Sequence, residues 1–422
     1  MSHETEGAAS AEAPCEGGRP TPARPPVSPW VGRLAVLALM LTALNLRPAV
    51  TGLGPVLEEA RAGLGMSATA AGLLTSMPAL CFALVGFAAP RLARRHGPDA
   101  VVLTGMAALA AGLAVRPFAS GAAMFVALSA VALAGIALAN VLLPVVVKER
   151  FPHRVGAMTG WYAMSLNLGA SAAAAVTVPL TRTFGGDWRI GLAAWALLAA
   201  VAVPPWLALI RNRPRADGSS GAARQVPQSG KPLTRNPTAW ALAVFFGMQA
   251  TAAYVIIGWL PQIFRDAGLS AATAGVLFAV TSVLGVPLSF VLGAVAGRVR
   301  SQSGIAVVIG LFGLAGYAGL WAAPAAAPWL WVVLLGVANC SFPLALTMIG
   351  LRGGDGATVI RLSAFAQCTG YLLSIPGPIL VGALYETTGG WDGPLLLLGV
   401  LMVPQIVSGW FAGRDRRVGA AT

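Results

Sequence analysis

The chain has 422 residues, of which 57% are hydrophobic and only 10% charged, with 51 Gly and 30 Pro. Soluble domains carry about 25% charge, so this apolar excess requires a bilayer as solvent. A formal charge of +13 suits nucleic acid, but its placement along the chain removes that reading. The four cysteines are no disulfide framework, because Cys81, Cys340 and Cys368 sit in apolar runs and Cys15 in a polar stretch.

Residues 1–29 are polar and rich in Pro, Ala and Gly, without a positive start, apolar core and cleavage site. They read as a disordered cytoplasmic tail rather than a signal peptide. Six apolar runs follow at about 31–57, 68–89, 100–119, 121–147, 155–180 and 188–210. Each is near the roughly 20 residues that carry a helix across a ~30 Å hydrocarbon core, which excludes a β-barrel. Residues 211–236 hold Arg211, Arg213, Arg215, Arg224, Lys231 and Arg235 among Pro, Gly, Ser and Gln, and read as a flexible linker. Six further runs lie at about 237–263, 270–296, 304–322, 327–350, 357–384 and 391–411, before a short tail over 413–422. The sequence therefore predicts an all-α membrane protein of twelve transmembrane helices. Its two six-helix bundles span 30–210 and 237–412.

All but six of the 28 Lys and Arg fall on the side that carries the termini, the linker and the loops from even to odd helices. Arg61, Arg116, Arg182, Arg189 and Arg265 take the opposite side, and Arg47 lies inside helix 1. Positive charge marks the cytoplasmic side, so both termini are expected in the cytoplasm of a bacterial-type inner membrane. The net charge thus reports topology, and nucleic acid drops out as a partner.

The two halves repeat. SATAAGLL from Ser67 matches SAATAGVL from Ser270, and ALANVLLP ending at Pro144 matches GVANCSFP ending at Pro343, pairing Asn140 with Asn339. GAMT from Gly156 matches GATV from Gly356, pairing Asn167 with Gln367. Two inverted or parallel repeats that rock about a central site place the substrate near the midplane between them.

Arg47 is the sharpest candidate there. It lies 14 residues beyond Arg33, or ~21 Å along a helix axis. A charge at that depth costs about 2.5–3.5 kcal/mol unless water or a counter-charge reaches it. Its planar fork of donors suits a carboxylate or small linear anion. The repeat aligns it with Ala253, so the charge belongs to one half only. Asn45 stands about 200° around an ideal helix from Arg47, so both face a cavity only if the backbone distorts, and Pro48 makes that distortion plausible. Gln249, Tyr254, Asn140, Asn339, Asn167, Gln367 and Tyr371 complete the candidate substrate set, with Trp161, Tyr162 and Trp259 as candidate walls. Arg91, Arg94 and Arg95 form a topology or gating cluster after helix 2.

No Asp or Glu falls at mid-depth in any run, and His3, His96 and His153 lie outside the apolar segments. A side-chain proton relay is therefore not expected, and no Walker-type loop points to ATP. No cofactor, metal or enzymatic activity is expected; the partners are a small-molecule substrate and the lipid bilayer, and the carrier is expected to be monomeric.

The strings NLRPAVTGLGPVL from Asn45, GLLTSMPALCFAL from Gly72, GWLPQIFRDAGLSAATAG from Gly258 and SAFAQCTGYLL from Ser363 resemble the cyanate-permease family of the major facilitator superfamily. The long stretch ANVLLPVVVKERFPHRVGAMTGWYAMSLNLGA from Ala139 belongs to the same likeness, which runs from about residue 31 to 411. In the first cytoplasmic loop, PRLARRHGPD from Pro90, Arg95 and Gly97 fit the superfamily's loop signature, whereas Arg94 stands where that signature has an aspartate. The resemblance implies a twelve-helix carrier of either a small anion such as cyanate or a flat heterocycle such as 2-nitroimidazole. In the first case Arg47 and the central amides form the site. In the second the protein is an exporter, the aromatic rings matter most and Arg47 is structural.

Overall fold

A computed structural model describes residues 29–152, 154–211, 233–354 and 356–418. Nearly all of the expected N-terminal tail and linker, and the end of the C-terminal tail, lie outside the described residues. Helix 1 runs over Trp30–Leu64, helix 2 over Ala68–His96, helix 3 over Pro98–Val115 and helix 4 over Ala122–Arg150. Helix 5 is Val155–Thr183 and helix 6 Trp188–Arg211. The second half has helix 7 at Pro237–Asp266, helix 8 at Ala271–Arg298, helix 9 at Ser303–Ala322 and helix 10 at Pro328–Arg352. Helix 11 follows as Gly356–Ser374 and Pro376–Thr388, and helix 12 is Asp392–Ala412. Among the described residues eleven are long and apolar enough to cross a membrane, and helix 8, 28 residues long, is apolar over Ala271–Gly285.

Short connections force successive helices to alternate in direction. One face of the bundle, here the terminal face, holds residues 29, 96, 150, 211, 237, 298, 352 and 412. The far face holds the turns near residues 66, 120, 185, 268, 325 and 390. The repeat seen in the sequence reappears as geometry at the far face. Ser67 and Ser270 both adopt extended backbone and cap helices 2 and 8, their hydroxyls accepting from the amides of Ala70 and Thr273.

Helix 1 is not continuous. It stops at Asn45, restarts as the short segment Pro48–Thr51, tightens over Gly54–Val56 and ends as Leu57–Leu64. Proline explains the break, because Pro48 has no N–H to give to the Leu44 carbonyl and disfavours helical geometry at Arg47. Arg47 itself keeps a right-handed helical ψ (φ −116°, ψ −34°), and its own carbonyl accepts from Val50 and Thr51 at 3.0 Å, which starts the next turn. Helix 7, the repeat partner, is unbroken over Pro237–Asp266.

The halves meet along helix 2 against helix 11, helix 5 against helix 8, and the outer part of helix 1 against helix 7. The bonds that join them gather toward the far face. Arg265 of helix 7 forks onto both carboxylate oxygens of Glu59, at 2.8 and 2.9 Å. Glu386 of helix 11 accepts from the amide and hydroxyl of Thr69, at 3.0 and 2.8 Å, acting as a cap on helix 2 from the other half. Deeper in, Ser76 donates to the Ile375 carbonyl at 2.8 Å. Backbones come close there as well: a Cβ at Gly54 would run into the Ile257 carbonyl, and one at Gly72 into the Pro378 carbonyl. Small residues let helices pack in lipid, where apolar burial alone supplies no drive.

Within the first half, Gly169 of helix 5 lies directly against the carbonyl of Leu44, the one Pro48 leaves without its helical donor. Gly160, on the same helix, has nothing within 4 Å of where a Cβ would stand. Gly169→Ala is therefore expected to cost about 1–3 kcal/mol through forced separation of helices 1 and 5, and Gly160→Ala to cost nothing. Thermal unfolding of the two purified variants in detergent checks this; equal midpoints would refute the close-approach account.

Candidate functional site

The break in helix 1 turns Arg47 toward the seam between the halves. Its side chain is half-buried, and among the described residues its guanidinium has no hydrogen bond and no ion pair. Its charge acts on the phenols of Tyr162 in helix 5, Tyr254 in helix 7 and Tyr371 in helix 11. Tyr371 is held in place by rings on two sides, stacked on Phe82 of helix 2 at 5.2 Å and edge-on to Phe246 at 5.0 Å. One guanidinium and three phenols from both halves thus converge with aromatic flanks. Every group in this set offers an N–H or O–H donor and none is a carboxylate, which suits a ligand rich in acceptors.

The remaining candidates separate. Asn45 is 2% exposed, and its Nδ2 donates to Leu41 at 2.8 Å and across to Leu198 of helix 6 at 3.1 Å. The distortion expected at Pro48 exists, yet Asn45 faces helix 6 and serves as a bond between helices, so it leaves the candidate set. Asn167 and Gln367, the repeat pair, each turn their amide nitrogen onto their own helix, to Ala163 carbonyl at 2.8 Å and Ser363 hydroxyl at 2.7 Å. Both are half-buried, with their carbonyl ends left for other use. Asn140 is half-buried on the unbroken helix 4 and makes no side-chain hydrogen bond among the described residues.

Gln249, which is buried, and Asn339, which is exposed, come together among the helices of the second half. They line a small cavity with Tyr317 and Gln405, between helices 7, 9, 10 and 12. Helix 10 breaks at Asn339–Cys340, which helix 4 does not do at the repeat-related Asn140. Trp161 is exposed, and Trp259 joins Tyr385 and Trp391 in a ring cluster at the far face, so neither walls the central site.

Arg91, Arg94 and Arg95 are exposed at the end of helix 2, where positive charge complements the helix dipole. The sequence pattern suggested a loop without its gating carboxylate. Two residues past Gly97 the structure has a carboxylate in an ion pair: Asp99, buried at the start of helix 3, pairs with Arg150 at the end of helix 4. Its place in the first turn of a helix was the available signal. Arg116, counted with the loop residues of the far side, is instead almost fully buried.

The sequence profile of the Major Facilitator Superfamily matches residues 36–374. The chain is 33% identical to the 2-nitroimidazole transporter of Escherichia coli (strain K12), over 92% of this chain and 97% of that one. It is 28% identical to the cyanate transport protein CynX of the same organism, over 84% and 91%. In fold it matches the crystal structure of a bacterial homologue of the human lysosomal transporter Spinster, with a TM-score of 0.73 and 15% identity over 92% of this chain and 97% of that one. The chain belongs to the major facilitator superfamily and is a multi-pass membrane transporter of small solutes.

Proposed function

We propose that this carrier moves a small anion of the cyanate class, or a small planar polar compound that presents an anionic edge, by alternating access. The observation that carries this reading is the guanidinium of Arg47, whose charge acts on tyrosines of both halves and which has no hydrogen-bond acceptor among the described residues. A structural arginine in lipid bonds to carbonyls or carboxylates, whereas this one is left with its fork of donors and three phenols around it. Charge-assisted hydrogen bonds contribute about 1.5–3 kcal/mol each, so an anion bridging Arg47 and a tyrosine gains affinity that a neutral isostere lacks.

The positive-inside pattern assigns the terminal face to the cytoplasm of a bacterial inner membrane, with both termini there. The far face, where Glu59–Arg265 and Thr69–Glu386 join the halves, would then be the external side, and a carrier closed there would open inward. Rocking of the halves would open those bonds and close the terminal face about Arg47. No carboxylate lies in the middle of a helix, which favours facilitated movement, exchange or a proton carried by the cargo itself.

A second reading has its own support. The stacked Phe82 and Tyr371 suit a flat heterocycle, and the relative named for 2-nitroimidazole is 33% identical. In that case the protein exports the heterocycle and Arg47 serves the fold.

Uptake of radiolabelled cyanate into proteoliposomes separates the two. Arg47→Ala is expected to abolish uptake with an unchanged thermal midpoint, and Arg47→Lys to restore only part of it. Asn45→Ala is expected to keep the KM for cyanate while lowering thermal stability by about 0.6 kcal/mol, the scale of one interhelical bond. Full uptake by Arg47→Ala, with saturable 2-nitroimidazole transport, would give the site to the second reading.

The far-face closure is testable separately. Glu59 and Arg265 are partly exposed (36% and 22%), so their pair contributes only about 0.2–1 kcal/mol. Glu59→Gln should then raise the labelling rate of a Val56→Cys reporter by a polar maleimide no more than about fivefold, in a background without native cysteines. An unchanged rate would mean the bridge does not hold the closed state.

A further inference from the structure

Arg116 lies in a short 3₁₀ turn, Arg116–Phe118, that follows helix 3. The turn folds the side chain inward, so that it is 2% exposed. Its Nη1 donates to the Ala49 carbonyl at 3.2 Å, and the guanidinium lies 5.3 Å from the ring centre of Phe125. Nε and Nη2, the two nitrogens of its side-on fork, have no partner among the described residues. No carboxylate pairs with it among the described residues.

A second side chain points to the same space. Ser129 of helix 4 is 1% exposed, and its hydroxyl also has no partner. Buried hydroxyls in helices ordinarily donate back to the carbonyl four residues earlier, as Thr42, Thr177 and Thr181 do here. Ser129 does not. Arg116 and Ser129 line one small cavity with Ala49, Val50, Leu53 and Thr75, and Gly258 of helix 7 completes its wall. The cavity has room for about one water-sized body.

We propose that this cavity is a binding site for a halide-sized monovalent anion, held side-on by Nε and Nη2 of Arg116 and by the Ser129 hydroxyl. A water molecule would satisfy the same hydrogen bonds but would leave a buried positive charge uncompensated, and arginine cannot shed its proton to escape that cost. An anion satisfies the donors and the charge together. Because Gly258 comes from the second half, the site is complete only while the halves are closed at the far face. Bound anion therefore favours that closed state and braces the segment after Pro48 from behind. The proposal does not depend on what Arg47 carries.

The test uses the purified full-length carrier and its thermal midpoint, titrated with sodium chloride against sodium gluconate at constant ionic strength. Chloride is expected to raise the midpoint saturably over gluconate, and bromide to do the same. Ser129→Ala is expected to raise the half-saturating chloride concentration about tenfold, the scale of one lost hydrogen bond to a charged partner. Arg116→Gln should abolish the response, and if that variant does not accumulate, Ser129→Ala decides alone. Arg47→Ala should leave the response in place. A wild-type midpoint indifferent to chloride, an unchanged half-saturation in Ser129→Ala, or a response lost in Arg47→Ala but kept in Arg116→Gln would each overturn the assignment.

Discussion

A bilayer interior offers neither water nor counter-ions to a stray polar group, so each such group must be satisfied by protein or by something the protein admits. In this chain that constraint concentrates at one proline. Pro48 cannot donate to Leu44, helix 1 stops, and the carbonyls around the break must go elsewhere. Leu44 packs against Gly169, Arg47 carbonyl starts the next turn, and Ala49 carbonyl takes a hydrogen bond from Arg116. Irregular backbone in a membrane persists where it lines a cavity or is buried in protein, and this break has both surroundings. On one side stand Arg47 and its tyrosines. On the other lies the cavity of Arg116 and Ser129.

The means by which the halves close fit a carrier that must also open. The far-face seal is a partly exposed bidentate bridge, one capping glutamate and a few hydroxyl–carbonyl bonds, each contributing little. Close backbone approach at Gly54 and Gly72 adds shape without adding a strong bond. A seal of many weak terms can be outweighed by a few kcal/mol of differential binding, which is the most a small ligand can supply. A buried ion pair across the seam would resist that exchange, and the described far-face pair is not buried.

Much of this was legible in the sequence because lipid makes the rules strict. Helix count, the two halves and the break at Pro48 all follow from run length, repeat and proline chemistry. The shared Ser67 and Ser270 caps even carry the repeat into local geometry. What escaped was direction. A one-dimensional reading places Asn45 at mid-depth but cannot see that the intact first segment of helix 1 aims it at Leu198. It groups Gln249 with Arg47 by depth, whereas helix 7 buries it among the helices of the second half, against a cavity that the exposed Asn339 also lines. Arg116 was hidden by its position near a loop, since only the 3₁₀ turn reveals that it folds back under Phe125. Asp99 is inconspicuous in the sequence because the signature position is occupied by Arg94, while the carboxylate that pairs lies two residues past Gly97.

The asymmetry between halves bears on what the central site selects. Helix 1 breaks at Arg47 and helix 7 does not, while helix 10 breaks at Asn339 and helix 4 does not. A pure scaffold built by duplication has no reason to lose its symmetry at mid-depth. A site for an asymmetric cargo does, because one end of the cargo meets charge and the other meets rings. A guanidinium left without a partner among the described residues would, in the proposed site, discriminate by charge first: a neutral solute leaves it uncompensated, whereas an anion removes that cost and gains two or more charge-assisted bonds. The stacked Phe82–Tyr371 pair then discriminates by shape, favouring a flat or linear body over a bulky one. If Arg47 and the Phe82–Tyr371 pair both meet the cargo, as proposed, charge at one pole and flatness at the other would together favour a small flat anion over a large neutral solute, which neither residue would do alone.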